Sequence, residues 1–272
     1  MDRPSEPTWV SLRDEELLAM RICDLKVTIA GSDLEARIAK LHADLDSRGL
    51  ALRPHCYLGD EWFSPSGVPA IAIPFYLAHP RLKQLELHQM MEVEGGTPDW
   101  CDQLLRHECG HVLDHAYRFS TRRTWRRVFG SPDLEYEPET YRPRPYSKGF
   151  VRHLPNWYAQ AHPDEDFAET FAVWLGMPKA EWQLRYKGWK ALEKLEYVDA
   201  LMREASKKAP LVTGGPRPSN ADKLRSTLSR YYAGRKRLWA EDTPDFYDSD
   251  LRRIFGESSG KTVASQFLRR NR

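Results

Sequence analysis

The sequence predicts an α+β protein in which a small mixed sheet near the N-terminus is followed by a helical C-terminal half. Two strand-like segments, residues 53–58 and 68–77, are separated by a turn-rich SPSG stretch. Downstream, three segments combine apolar residues at helical spacing with clear helix start and stop signals. This order of elements favours a mixed sheet that packs against helices.

The N-terminal part of the chain contains one further predicted strand. Residues 22–29 (ICDLKVTI) end in β-branched residues, which favour a strand. A helix follows, because Ser32 and Glu35 form a capping box and apolar residues repeat at helical spacing until Gly49. Two prolines in the segment 68–77 cannot donate to a ladder, so this strand is expected at a sheet edge.

The central helix has a clear start signal. Pro98 takes a first-turn position after a Gly-Gly-Thr stretch, and an aspartate follows it, so a helix is expected from here to about His115. A second helix starts at Pro163, with three acidic residues in its first turn, and ends at Gly176. A third helix is expected over about residues 189–205.

The composition changes after the third helix. Residues 207–220 (KKAPLVTGGPRPSN) are typical of a linker. We therefore expect a compact domain over residues 1–206 and a basic helical appendage over residues 221–272, joined by this linker.

Charge, hydropathy and cysteine content exclude several classes of protein. The 41 Lys and Arg against 39 Asp and Glu give a net charge of +2, which offers no strong case for nucleic-acid binding. The sequence has no run of about 20 apolar residues that would span a membrane. The N-terminus carries no signal-like apolar stretch, and four scattered cysteines without a CxxC pair indicate free thiols. These features predict a cytoplasmic location.

The most informative motif is HExxH, formed by residues 107–111 (HECGH). Residues four apart lie one turn above each other on a helix, so the imidazoles of His107 and His111 can approach one metal ion. Glu108 lies between them and can reach a water molecule beside that metal, as in zinc hydrolases. The motif predicts one catalytic zinc ion (Zn2+) per chain, with Glu108 as general base.

The same helix carries an apolar stripe on the side away from the histidines. The stripe consists of Cys101, Leu105, Cys109, Val112 and Ala116. Because Cys109 points about 200° away from His107 around the helix axis, the two cysteines are not expected to bind the metal. Gly110 leaves room for another segment to approach closely.

A zinc site with two histidines needs a third protein ligand and an open position. His115 follows His111 by four residues, but along a straight helix it would lie about 12 Å from His107. The second predicted helix is a better source, because Glu165 and Glu169 are four apart on one face. Glu165 could bind the metal while Glu169 accepts the outer N–H of a ligand histidine. An acidic first turn also suits the helix dipole, which is an ordinary structural explanation for Glu165.

The segments HECGHVLDHA and HPDEDFAETFAVWL together resemble the gluzincin class of metallopeptidases, in which the first Glu of an ExxxD or ExxxE pattern completes an HExxH site. More closely, the chain is similar to a bacterial family of zinc-binding metallopeptidases that has a similar HExGHxLD helix, an Arg- and Tyr-rich insert and a DEDFAETFA helix. The resemblance implies a zincin-like core that hydrolyses peptide bonds. The interval between His111 and Glu165 departs from the thermolysin-like pattern, so no substrate pocket is carried over.

The EDFAE core is also similar to that of lethal-factor-type toxin proteases, in which a tyrosine seven residues before the ligand Glu lines the site. This resemblance assigns the equivalent position to Tyr158, which would donate to the oxyanion while Glu108 passes a proton to the leaving amine. Weaker candidates for the donor are His153, His162 and Tyr146. Because zincins commonly bind substrate along an edge strand, we expect it along residues 71–76.

Two segments are strongly basic: residues 116–152 hold nine basic and four acidic residues, and residues 206–239 hold nine and one. They favour an acidic partner, which could be an acidic peptide tail, a C-terminal carboxylate or nucleic acid. Solvated helix faces and Arg–Tyr stacking are the simpler explanation. The leading hypothesis is a zinc peptidase that acts on a peptide or protein. Alternatives are a nucleic-acid-associated protein that uses the basic C-terminal helix, and a zinc-stabilised scaffold without turnover, against which Glu108 argues.

Overall fold

A computed structural model of the chain describes residues 6–136 and 142–242, and its architecture fits the predicted α+β class. The helices are α1 (Asp14–Leu18), α2 (Asp33–Ser47), α3 (Pro80–Met90), α4 (Pro98–Tyr117), α5 (Arg123–Phe129), α6 (Pro163–Gly176), α7 (Lys179–Arg185), α8 (Lys190–Ala205) and α9 (Leu228–Asp242). Shorter 3-10 helices cover Thr8–Ser11, Ile22–Leu25, Phe75–Ala78, Phe119–Thr121, Pro155–Gln160 and Ala221–Lys223. Strands β1 (His55–Gly59) and β2 (Ala70–Pro74) lie between α2 and α3 in the chain. No helix in these described ranges is both long and apolar enough to cross a membrane.

The sheet is smaller than the sequence predicts. Strands β1 and β2 pair in parallel, with His55 opposite Ala70 and Gly59 opposite Pro74. Within the described part of the chain, antiparallel pairing is limited to isolated bridges, one of which joins Phe63 to Ala72. The expected mixed sheet is therefore a two-stranded parallel sheet, and the proline in β2 lies at its last position, where it interrupts no ladder.

The prediction of a strand at residues 22–29 is wrong. Ile22–Leu25 forms a 3-10 helix instead. Ile22 and Leu25 are three residues apart and each is 2% exposed, so a single turn directs both side chains into the core. The N–H of Ile22 donates to the carbonyl of Ser226, just before α9, so its partner is a distant segment rather than β1 or β2.

The contact between α4 and α6 organises the core. Residues 166–175 of α6 are all buried. The stripe predicted on α4 is also buried, and each of its five residues is at most 3% exposed. Gly110 lies directly against α6: a Cβ added there would come within 2.7 Å of the Cα of Ala168. Gly110 therefore leaves room for the backbone of α6 to approach α4 closely.

A buried ion pair joins α6 to α8. The ammonium of Lys194 lies 2.5 Å from a carboxylate oxygen of Asp166, and the two side chains are 7% and 1% exposed. Lys194 also lies over the ring of Phe150, 4.1 Å from its centroid. Burial raises the pKa of Asp166 to about 7, although Lys194 acts to lower it. Removing either partner would leave an uncompensated charge in the core, so the pair fixes one side of α6.

Helix α9 packs against the N-terminal half of the chain. Leu228 and Tyr232 on this helix are buried. Arg235 donates to a carboxylate oxygen of the buried Glu86 in α3 at 2.6 Å. The first turns of α9 are thus held by both apolar packing and a charged hydrogen bond.

Residues 207–220 contain neither helix nor strand. The N–H groups of Leu211 and Val212 both donate to the carbonyl of Ala116 near the end of α4, at 2.8 and 3.1 Å. The division into a domain over residues 1–206, a linker and an appendage stays a prediction. Residues 243–272 of the predicted appendage lie outside the described residues.

Replacing Gly110 by Ala is expected to lower the free energy of unfolding by roughly 1–3 kcal/mol, because the new methyl group overlaps the backbone of α6. Urea denaturation of the metal-free protein measures the change. The matched control is Gly234→Ala in α9, where an added Cβ meets nothing within 4 Å. There the better helix former should leave stability unchanged or raise it by up to about 1 kcal/mol. Equal stability of the Gly110→Ala variant and the wild type would contradict the proposed contact.

Candidate metal centre

Three side chains from α4 and α6 converge on one point. His107 and His111 lie one turn apart on α4, and their Nε2 atoms are 3.2 Å from each other. One carboxylate oxygen of Glu165, in the first turn of α6, lies 3.0 Å from Nε2 of His107 and 3.3 Å from Nε2 of His111. The structure therefore brings together the three residues that the sequence analysis singled out as ligands, and they form a group that could hold a metal ion.

The spacing of these three atoms fits a zinc ion. Zinc binds nitrogen and oxygen ligands at about 2.0–2.2 Å in tetrahedral geometry, which places neighbouring ligand atoms about 3.3 Å apart. The observed separations of 3.0–3.3 Å match this requirement without movement of the helices. Two imidazoles and one carboxylate are also the protein ligand set of an open catalytic zinc site.

The electrostatics of the site favour a bound cation. Burial opposes the charged form of His107, but hydrogen bonds to Glu165 and Glu169 raise its pKa well above the ordinary value. Burial likewise opposes ionisation of Glu165, yet His111 and His107 lower the pKa of this carboxyl group. Metal binding requires neutral imidazoles, so a metal ion at this position would compete with protons for the two Nε2 atoms.

Glu169 fixes the orientation of one candidate ligand. It is 1% exposed, and one of its carboxylate oxygens accepts from Nδ1 of His107 at 2.9 Å. The other oxygen accepts from the N–H of Leu154, also at 2.9 Å. With its Nδ1 donating to a carboxylate, His107 presents a free Nε2 lone pair to the metal position. The N–H of Leu154 is a contact that the sequence analysis missed, because backbone groups leave no sequence signal.

Glu108 follows His107 on α4 and is 6% exposed. Burial raises its pKa, and the neighbouring His107 and His111 oppose this effect only in part. A carboxylate whose pKa is raised is a better proton acceptor, which suits a general base.

His115 lies outside the group of candidate ligands. Its Nδ1 atom is 3.3 Å from the hydroxyl of Ser64. Burial lowers the pKa of His115, and the nearby His111 adds to this effect. The position of His115 therefore agrees with the sequence analysis, in which helix geometry disfavoured this residue as the third ligand.

Tyr158 approaches the candidate ligands through its ring, whose centroid is 5.6 Å from that of His107. Its hydroxyl group is hydrogen-bonded to the hydroxyl of Tyr136 at 2.7 Å. Burial, followed by the charge of Glu165, raises the pKa of Tyr158, so the phenol stays protonated and can donate. Tyr136 is a second contact that the sequence analysis missed, since it is one of several tyrosines in an irregular insert.

The weaker donor candidates have other partners. His153 donates from Nε2 to the carbonyl of Gln103 at 2.9 Å. His162 caps α6 by accepting from the N–H of Asp164. Tyr146 is 77% exposed.

The expectation that substrate lies along residues 71–76 is wrong for the structure as it stands. All six residues are buried, and the five other than Pro74 are each at most 1% exposed. The backbone of Ala72 is already paired on its other side, because its N–H donates to the carbonyl of Phe63 at 2.8 Å. The prolines correctly indicated an edge, but a neighbouring loop covers it.

The comparisons with known proteins agree with the character of this centre. Residues 104–210, about two-fifths of the chain, match the model of a family described as "Putative zinc-binding metallo-peptidase". This match confirms the predicted resemblance to a family of zinc-binding metallopeptidases, over a segment that holds residues 104–117 of α4 and all of α6, and it suggests a hydrolase that acts on peptides. No curated protein and no solved structure matches the chain.

The wild-type protein is expected to contain about one zinc ion per chain, and Ala substitution of His107, His111 or Glu165 should abolish this content because each removes one of three ligands. Elemental analysis after gel filtration measures the metal. His115→Ala is the matched control from the same helix and should retain zinc. Retention of zinc by Glu165→Ala, or its loss from His115→Ala, would show that the ligand set is different.

Replacing Glu169 by Gln is expected to weaken zinc affinity by about 10- to 100-fold. The two carboxylate oxygens of Glu169 face two N–H donors, and an amide would turn its own NH2 group towards one of them. Competition with a chelator of known affinity measures the effect. Glu193→Gln, at an exposed position in α8, serves as control. Unchanged affinity in Glu169→Gln would exclude a role in orienting His107.

Proposed function

We propose that the protein is a zinc-dependent metallopeptidase with a zincin-like core of the gluzincin type, and that it hydrolyses a peptide bond. His107, His111 and Glu165 would hold one zinc ion. Glu108 would act as general base, and Tyr158 as the donor to the oxyanion. The family match over residues 104–210 supports the class of reaction.

One observation carries the proposal: a buried carboxyl group, Glu108, stands next to a three-atom cluster with zinc spacing, at 3.0–3.3 Å between ligand atoms. A structural zinc site needs no general base and normally closes with four protein ligands. Three ligands with a base beside them are the arrangement of a hydrolytic site.

The residues around the metal position have different roles in the proposed reaction. A bound zinc ion would supply Lewis acidity to a water molecule and to the scissile carbonyl group. The carboxylate of Glu108 accepts a proton from the attacking water and delivers it to the leaving nitrogen. Burial raises the pKa of this carboxyl group above its ordinary value, which makes the carboxylate a better proton acceptor. Glu169 keeps the imidazole of His107 in one tautomer throughout.

Tyr158 is the proposed oxyanion donor for three reasons. Its ring packs beside His107, its phenol is protonated, and the competing candidates have other hydrogen-bond partners or are exposed. A neutral hydroxyl group can donate to developing negative charge without adding a full charge to the site.

The two basic segments, residues 116–152 and 206–239, do not indicate which kind of peptide is the substrate. Arg122 donates to Glu204 and Arg126 to Asp133, so part of the charge in the insert is paired within the protein. An acidic peptide as substrate stays a prediction. The four cysteines are unpaired, which supports the proposed cytoplasmic location.

Replacing Glu108 by Gln is expected to leave zinc content unchanged and to lower kcat by about 100- to 10,000-fold, because the amide cannot accept the proton. A library of quenched fluorogenic peptides measures hydrolysis, with elemental analysis of the same samples. Asp99→Asn, which removes an exposed carboxylate from the first turn of α4, is the matched control and should retain full activity. Full activity of the Glu108→Gln variant would exclude this mechanism.

A further inference from the structure

A second tyrosine is hydrogen-bonded to Tyr158, the proposed oxyanion donor. The hydroxyl of Tyr136, which belongs to the stretch after α5, lies 2.7 Å from the hydroxyl of Tyr158. Tyr136 is not part of the metal group, and its side chain does not enter the mechanism described above. It reaches the site from a segment that belongs to neither α4 nor α6.

The backbone before Tyr158 is strained. Asn156 and Trp157 are consecutive non-glycine residues in the left-handed region, with φ of 58° and 54°. L-residues rarely adopt this conformation, and it persists only where surrounding contacts hold it. The position of Tyr158 therefore depends on tertiary contacts, and the bond between the two phenols is one of these contacts.

Tyr136 is itself held by a residue at the start of α6. Its ring packs edge-on against His162, with 5.7 Å between centroids and an interplanar angle of 86°. Nε2 of His162 donates to the carbonyl of Leu134 at 3.0 Å, and Nδ1 accepts from the N–H of Asp164 at 3.1 Å. His162 thus joins the stretch that carries Tyr136 to the helix turn that carries Glu165.

We propose that Tyr136 is a positioning residue, which donates its hydroxyl proton to the oxygen of Tyr158 and thereby leaves the proton of Tyr158 free to point at the substrate oxyanion. A phenol has one proton and can accept through its lone pairs, so only this direction of the bond leaves a donor for the substrate. A hydroxyl group that accepts a hydrogen bond is also a stronger donor. The inference rests on the proposed function, because it assigns Tyr136 a role in that reaction.

The experiment compares Tyr136→Phe, Tyr158→Phe and the double variant with the wild type. On the fluorogenic peptide that the wild-type zinc enzyme cleaves fastest, Tyr158→Phe should lower kcat by about 100-fold. Tyr136→Phe should lower kcat by about fivefold to tenfold, with unchanged KM and zinc content. The double variant should be no slower than Tyr158→Phe, since Tyr136 acts only through Tyr158. Tyr197→Phe in α8 is the control: it removes the hydroxyl group that bonds to the hydroxyl of Thr124 at 3.1 Å, outside the candidate site, and its kcat should match the wild type.

A second readout does not depend on activity. In urea denaturation of the zinc-free protein, each single variant should lower the folding equilibrium constant by about fivefold. The double variant should lower it by clearly less than the product of the two, because one hydrogen bond is lost in each case. A purely additive result would overturn the proposed pairing of the phenols.

Three further outcomes would overturn the inference while leaving the proposed function in place. These are an unchanged kcat in Tyr136→Phe, a loss of zinc from that variant, and a double variant whose loss multiplies the two single losses. A wild-type protein that binds no zinc or shows no zinc-dependent hydrolysis would instead overturn the proposed function, and with it the role of Tyr136.

Discussion

The close approach of α4 and α6 at Gly110 is the constraint on which the candidate metal centre depends. Because Gly110 has no side chain, the backbone of Ala168 can lie directly against α4. Glu165 precedes Ala168 by three residues, about one helical turn, so the same approach brings its carboxylate to the two imidazoles. Metal–ligand distances tolerate only about 0.2 Å of error. The contact at Gly110 therefore affects both the packing of the core and the positions of the candidate ligands.

The rotation of α6 about its axis is fixed by charge as well as by packing. Three of its acidic residues within five positions have different partners: Glu165 faces the imidazoles of α4, Asp166 pairs with Lys194 of α8, and Glu169 accepts two N–H groups. A rotation of the helix would leave at least one carboxylate buried without a partner, which costs several kcal/mol. The ion pair on the far side of α6 thus stabilises the orientation that brings Glu165 to the two imidazoles.

Helical spacing accounts for most of what the sequence predicts correctly. The bounds and buried stripe of α4 follow from local periodicity, and the need for a third ligand was enough to single out Glu165 and Glu169 on α6. The strand at 22–29 fails because β propensity is weak and contacts with residues before α9 decide the local structure. The contact of Tyr136 with Tyr158 joins irregular segments 22 residues apart. Such segments have no periodic sequence pattern from which the contact could be predicted.

The candidate ligands and the proposed donor are held by different kinds of structure. The ligands project from two packed helices, whereas Tyr158 follows a strained turn that depends on contacts with the insert. Rigid elements set metal geometry well, and irregular segments can place a side chain over a site that helices alone do not reach. His162 connects the two, because it caps α6 and also holds the stretch before Tyr136. Under the proposed function, metal affinity and the rate of the chemical step can therefore change independently: substitutions of the candidate ligands act on the first, and substitution of Tyr136 acts on the second.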